Sequence, residues 1–300
     1  MKKQRHHYVW QKYLAPWVAE GRICCLRAGR IFPVGTKNIA VETGFYKVKR
    51  LSGEELAFVR KLADASASET AKRTNHTWID NHTVIYEFQD FANAEGASSI
   101  ELEKLIETNA FNLEEDMQMH IENSGVRYLD SMLNNDISFY YEDDQCVEFL
   151  FYLATQFVRT KKMRDIIQSA GAQVGISDMS NCWPVVSHIF ATNFGWTMYA
   201  ERDKYELHIL HNHTELNIIT ADQPLINVHP LGSDADHEIC LYYPLSPNMA
   251  MIYSPIDRSN SKAEEYIKKA EVAKYNNEIY GASNEQVFAL NDSDLQSYIR

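Results

Sequence analysis

The run Glu148 to Asp165, EFLFYLATQFVRTKKMRD, constrains the fold more than any other stretch. Phe149, Leu150, Phe151, Leu153, Ala154, Phe157 and Val158 leave no polar face wide enough for water. A helix that is apolar all round is buried rather than laid on a surface. The run is bounded by Glu148 and Arg159 and is too short to span a bilayer. It therefore predicts a central core helix and no membrane partner. Arg159, at its end, is expected to be buried or half-buried and to need a carboxylate or carbonyl partner, because an unpaired buried charge is very costly. A structural ion pair is the simplest role for it. Lys161, Lys162 and Arg164 are expected near the C-terminus of the same helix, where cations suit the dipole.

Around this run the composition is that of a globular protein, 45% hydrophobic and 23% charged over 300 residues. The five cysteines are odd in number and form no CxxC, so neither a disulfide framework nor a zinc ribbon is indicated. Reduced thiols predict a cytoplasmic protein. The opening MKKQRHHYVWQKYL is basic but has no apolar segment of the kind a secretory leader needs. Charge is uneven. Residues 1–50 hold 11 Lys and Arg against two acids, and the other 250 residues hold 18 against 39. A basic end on an acidic body either pairs with that body, within or between subunits, or faces a polyanion. Pairing is the favoured expectation, since nucleic-acid binders carry a larger basic excess.

Taken in order, residues 6–20 predict a short extended piece leading into a helix that Pro16 limits, with Tyr8, Trp10, Tyr13, Leu14 and Trp17 on an aromatic face. Arg22 to Val34 predicts a hairpin turning at Ala28-Gly29. Ser52 with Glu55 is a capping box opening a helix to about residue 72. Thr83 to Tyr86 looks strand-like within a mixed region. Ser98 with Glu101 opens a helix over 99–122, whose acids read as a solvated face. Gly125 punctuates, and Val126 to Leu133 is a short helix. Asn181 to Glu201 is a further apolar helix. Residues 206–210, 216–220, 239–243 and 249–252 predict four strands of one mixed or antiparallel sheet, and residues 261–279 a closing helix. The result is an α+β fold, a helical middle with a buried central helix packed on a C-terminal sheet, plus a short N-terminal hairpin.

Several scattered pieces then fall into line. They are His7-Tyr8-Val9 with Tyr13-Leu14, the helix end Gln156 to Thr160, the turn Ile218 to Pro224, the element Tyr243 to Pro247, and Asn276-Asn277. Together they resemble the family known as domain of unknown function 4238. Trp10 stands where that family has proline, and Ala221 where it has serine. The resemblance covers nearly the whole chain and implies one domain over 1–300. It supplies no activity. Within the matching pieces, Gln156 and Asn276 are candidate binding residues.

Candidate chemistry rests on four residues. Asp222 follows a strand and precedes a proline turn, a position that suits either a functional loop acid or an Asx-turn. His7 in the basic end is either a general acid or base, or a residue packed beneath the first helix with His6 solvated beside it. With Tyr8 and with Arg159 stabilising developing charge, it would serve metal-independent phosphodiester cleavage. His208, His211 and His213 invite a metal reading, yet only His211 and His213 share a strand face, and two imidazoles do not make a zinc site. No GxGxxG, Walker A, HExxH or GxSxG pattern occurs, so no cofactor or metal is expected. Two function classes remain open: a nuclease of toxin or phage-defence type acting on nucleic acid, and a non-enzymatic interaction module or structural dimer.

Overall fold

Arg5–His7 forms a short strand, β1, followed by a single helical turn, α1 (Gln11–Leu14), and a 3-10 turn at Ala15–Trp17 where Pro16 sits in the first turn. The hairpin is where the sequence places it. β2 (Ile23–Arg27) pairs antiparallel with β3 (Arg30–Val34), and Ala28 and Gly29 both take positive φ, 50° and 72°, as a two-residue hairpin turn requires. β4 (Val41–Thr43) then returns to pair antiparallel with β1. A computed structural model describes residues 1–171, 176, 179–228, 239–256 and 266–299 of the chain.

The helical middle opens on α2 (Gly53–Asp64), capped by the expected Ser52–Glu55 box. α3 (Glu69–Ala94) follows and runs straight through Thr83 to Tyr86, which is helical and not the strand its residues suggest. Its buried positions Asn75, Ile79, His82 and Ile85 recur at helical spacing, and that tertiary stripe overrides β propensity. α4 (Ile100–Leu133) starts at an Ser99 cap, one residue later than expected, and continues through Gly125 without a break. Gly125 is there for contact: a Cβ on it would lie 2.3 Å from the Tyr152 ring. Nor are the acids of α4 all solvated, since Glu114 is 3% exposed.

α5 (Asp143–Val158) is the predicted core helix, with Phe149, Leu150, Leu153 and Ala154 all fully buried. It packs on α7 (Trp183–Ala200), where a Cβ on Gly195 would approach Phe151 Cα to 3.0 Å. In chain order α6 (Lys161–Ala170) comes between them. The helix therefore ends at Arg159, and Thr160 caps a new one by accepting from the Met163 amide. Lys161, Lys162 and Arg164 thus sit in the first turn of α6, not at a C-terminus. The unfavourable dipole position is offset by Glu42, Glu285 and the Ala282 carbonyl, to which they bind.

The C-terminal third gives two sheets where one was expected. β5 (Tyr205–Asn212), β7 (Ile226–Asn227), β8 (Leu241–Ser246), β9 (Met249–Pro255) and β10 (Tyr266–Ile267) form one, in the order β10-β5-β9-β8-β7, antiparallel except for β10 on β5. β6 (Thr220–Ala221) instead joins the N-terminal hairpin through β11 (Gln286–Ala289), in the order β3-β2-β11-β6. α8 (Lys269–Ala282) precedes β11; the first residues of the expected helix, 261–265, lie outside the described residues. The fold is α+β. One apolar core runs from Tyr13 and Trp17 through Phe149 and Leu153 to Tyr243 and Phe288. Among the described residues, no helix is long and apolar enough to cross a membrane.

Candidate functional site

The break after α5 puts Arg159 at the meeting point of four segments. Its side chain is 2% exposed. Nε donates to the Tyr46 hydroxyl at 3.0 Å, Nη2 to the His7 carbonyl at 2.8 Å, and Nη1 to the Glu122 carboxylate. The Tyr46 hydroxyl in turn donates to the Arg159 carbonyl at 3.2 Å. Glu122 is only 12% exposed, and burial raises its pKa while Arg159 pulls it back down. About two turns of α4 earlier, Glu115 faces the same guanidinium. Burial pushes its carboxyl up to about 7 against the pull of Arg159, and its Oε2 has no partner among the described residues.

His7 reaches this centre through its backbone. Its ring Nε2 is buried without a partner among the described residues, and burial lowers its pKa. His6 beside it is fully buried rather than solvated: Nδ1 accepts from the Tyr46 amide at 2.9 Å and Nε2 lies 3.0 Å from the Lys3 carbonyl, which fixes a neutral ring. Gln156, on the last turn of α5, is 3% exposed and its Nε2 has no partner among the described residues.

Asp222 belongs to a second, adjoining cluster. Fully buried, it accepts from three successive amides, Asn284 at 2.8 Å, Glu285 at 2.8 Å and Gln286 at 3.0 Å. Burial pushes its pKa up to about 6, opposed by those three donors. Tyr8 joins this cluster, not the arginine: its hydroxyl accepts from Gln286 Nε2 at 2.9 Å, while Gln286 Oε1 takes the Ala40 amide at 3.2 Å. Burial raises the Tyr8 pKa, and Asp222 adds to the rise. The His7-Tyr8 step therefore links the two clusters, carbonyl on one side and phenol on the other. Asn276 lies apart, clamping the chain before β6 by accepting from the Ile219 amide at 3.0 Å and donating to the Asn217 carbonyl at 2.8 Å.

These contacts join two of the matched sequence pieces, the His7-Tyr8 opening and the end of α5, to each other, and tie the opening through Gln286 to the Asp222 turn. The chain belongs to the family described as Protein of unknown function (DUF4238). The family model matches residues 5–293. No curated protein and no solved structure matches the chain.

Several members of the two clusters escaped the sequence. Tyr46, Glu115, Glu122 and Gln286 carry no motif; Arg159 demands a partner, but Glu122 reads from the sequence as part of a solvated face. A further buried pair lies between α4 and α7 of this DUF4238 chain. His188 Nε2 is 2.6 Å from Glu114 Oε1, Gln118 donates to the same oxygen at 2.9 Å, and Trp78 stacks on His188 at 4.4 Å. His208 pairs with Glu206 at 3.1 Å and His211 with Asn135 at 2.9 Å. No group of three or more side chains able to hold a metal occurs among the described residues.

Proposed function

We propose that this DUF4238 protein is a non-enzymatic interaction module, one domain over 1–300, that pairs with a second copy through α3. The carrying observation is a stripe on that helix. Val84, Phe88 and Phe91, spaced four and three apart, are 51%, 51% and 65% exposed, while Ile79, His82 and Ile85 on the other face are buried. Large apolar groups in line on one exposed helix face mark a contact surface. Two copies set antiparallel would place Phe88 against its own counterpart and Val84 against Phe91, a self-complementary two-fold contact. Two further facts favour binding over catalysis. The side chains of Arg159 and Asp222 are occupied by internal bonds, and the basic end is paired within the chain through Lys2–Glu107, Lys3–Asp116 and Lys12–Asp130. The expected aromatic face is not the contact, since Tyr8, Tyr13 and Trp17 are buried.

Asp80 and Glu87 flank the stripe, so like charges meet across the contact. Screening relieves that repulsion. Sedimentation at low and high salt is expected to show a dimer that tightens as salt rises and is lost with Phe88→Ser and Phe91→Ser together. A monomer at about 100 μM protein, roughly the weak end of transient affinities, at every salt concentration would end the proposal.

A second reading has one observation in its favour. His7 Nε2 without a partner and Glu115 held near neutrality both lie around Arg159. Perturbed groups of this kind collect at functional sites. In that reading the chain is a cytoplasmic, metal-independent nuclease of toxin or phage-defence type. His7, Tyr8, Arg159 and Asp222 are catalytic, Gln156 and Asn276 bind, and nucleic acid is the partner. RNA cleavage by the purified protein, abolished by His7→Ala, would support it; RNA left intact with and without divalent metals would count against it.

A further inference from the structure

The frame around Asp222 also builds the wall of a cleft. A cavity of about 550 Å³ lies between the β2–β3 turn, the end of α8 and the segment that Asp222 holds. That volume suits a small ligand. Its sides are chemically distinct. Arg27 lines it at the turn; its side chain is exposed, its guanidinium lies over the Phe32 ring at 5.5 Å from the centroid, and no carboxylate pairs with Arg27 or the neighbouring Arg30 among the described residues. Tyr280 and Tyr298 contribute a pair of stacked rings, 4.6 Å between centroids, fixed by a bond from the Tyr280 hydroxyl to the Tyr298 carbonyl at 3.3 Å. Asn284 and Glu285 supply polar groups between them.

Two further features bear on what such a cleft takes. Glu285, the acid of the lining, is tied to Lys161 at 2.5 Å, so its charge is compensated and the unbalanced charge is that of Arg27. The wall is also set in advance. Asp222 grips the amides of Asn284, Glu285 and Gln286, Lys162 holds the Ala282 carbonyl at 2.7 Å, and the Ser283 hydroxyl donates to the Tyr280 carbonyl at 2.7 Å. A site that needs no ordering on binding keeps more of its contact energy as affinity.

We propose that this cleft binds a nucleoside monophosphate group, with Arg27 on the phosphate and the Tyr280–Tyr298 rings against the base. A guanidinium matches a phosphate through two parallel N–H donors, and bases of any kind stack on aromatic rings. The group is either a free nucleotide or the phosphorylated end of a strand. This inference does not rest on the pairing of α3, nor on the nuclease reading.

Calorimetric titration of the full chain with AMP, GMP, CMP and UMP, with inorganic phosphate, and with a 5′-phosphorylated pentanucleotide tests it. Saturable binding of one nucleotide per chain is expected, weakened about tenfold by Arg27→Ala and about tenfold by Tyr298→Leu, and unchanged by Arg22→Ala, an exposed arginine of the same hairpin outside the cleft. The pentanucleotide matching or exceeding the free nucleotide would identify a strand end as the source; a weaker pentanucleotide would identify the free nucleotide. Melting curves check that each variant is folded. Binding of phosphate as tightly as nucleotide, equal losses from Arg27→Ala and Arg22→Ala, or no saturable binding at millimolar nucleotide would each overturn the proposal.

Discussion

Replacing Arg159 by methionine removes a guanidinium that is 2% exposed and donates to three acceptors. The volume is nearly kept, so the cost is electrostatic. Glu122, itself 12% exposed, is left as a buried carboxylate without its cation, and the Tyr46 hydroxyl and His7 carbonyl each lose a donor. Breaking one side of a buried pair costs about 3–5 kcal/mol. The urea unfolding free energy at pH 7 should fall by that amount with little change in slope. Removing the abandoned carboxylate as well, in Arg159→Met with Glu122→Leu, should recover at least about 2 kcal/mol relative to the sum of the singles. The pH dependence has a definite sign. Burial raises the folded pKa of Glu122, and without Arg159 nothing opposes that rise. Below its unfolded pKa the group is neutral in both states, so the deficit of the single variant should be smallest in acid and grow as pH passes through the folded value. A single-variant loss under about 1 kcal/mol, or strict additivity in the double, would refute the view that this pair is the electrostatic centre of the fold.

Gly125→Ala should destabilise by about 1–3 kcal/mol, because the new Cβ would sit 2.3 Å from the Tyr152 ring; thermal melts should show most of the loss recovered when Tyr152 is shortened to leucine. Glu115, with an ordinary pKa of 4.5 raised to about 7, is protonated in the folded chain and ionised in the unfolded one between those values. Its contribution to stability is full below about pH 4.5 and lost as pH rises to about 7, and Glu115→Gln should flatten that part of a stability–pH profile. Asp222→Asn should cost about 2–4 kcal/mol, since an amide NH₂ would confront backbone donors that now share a carboxylate; slower refolding without lost stability would not fit. His6, neutral in the fold with both nitrogens engaged and its pKa lowered by burial, contributes stability that is present above its ordinary 6.5 and lost as pH falls. His6→Gln should reduce the acid sensitivity of the melting temperature.

The sequence was informative where one residue type meets one local demand. The Ser52–Glu55 box, the Ala28-Gly29 turn and the apolar faces of α5 all read correctly, because each depends on neighbours within a few positions. The need of Arg159 for a partner was equally legible, but not the partner, since Glu122 lies 37 residues away on another helix. Thr83 to Tyr86 and Gly125 misled for one reason: packing against a distant element decides what the local preference does not. Tyr152 makes Gly125 a contact point, and β11, unassigned from sequence, exists because β2 and β6 offer it two edges. Of the candidate site, the sequence located the segments that converge; it did not reveal that His7 meets Arg159 through a carbonyl or that Asp222 serves amides.

The insertion of β11 between β2 and β6 has a consequence for biosynthesis. Tyr8 waits for Gln286, 278 positions later, and the edge of β2 stays open until β11 has been made. At ordinary translation speeds of about 5–20 residues per second that interval is roughly 15–60 s. Throughout it, Tyr13 and Trp17 lack much of their final surroundings and the growing polypeptide exposes a strand edge, the state that chaperones guard and that ribosome stalling would prolong.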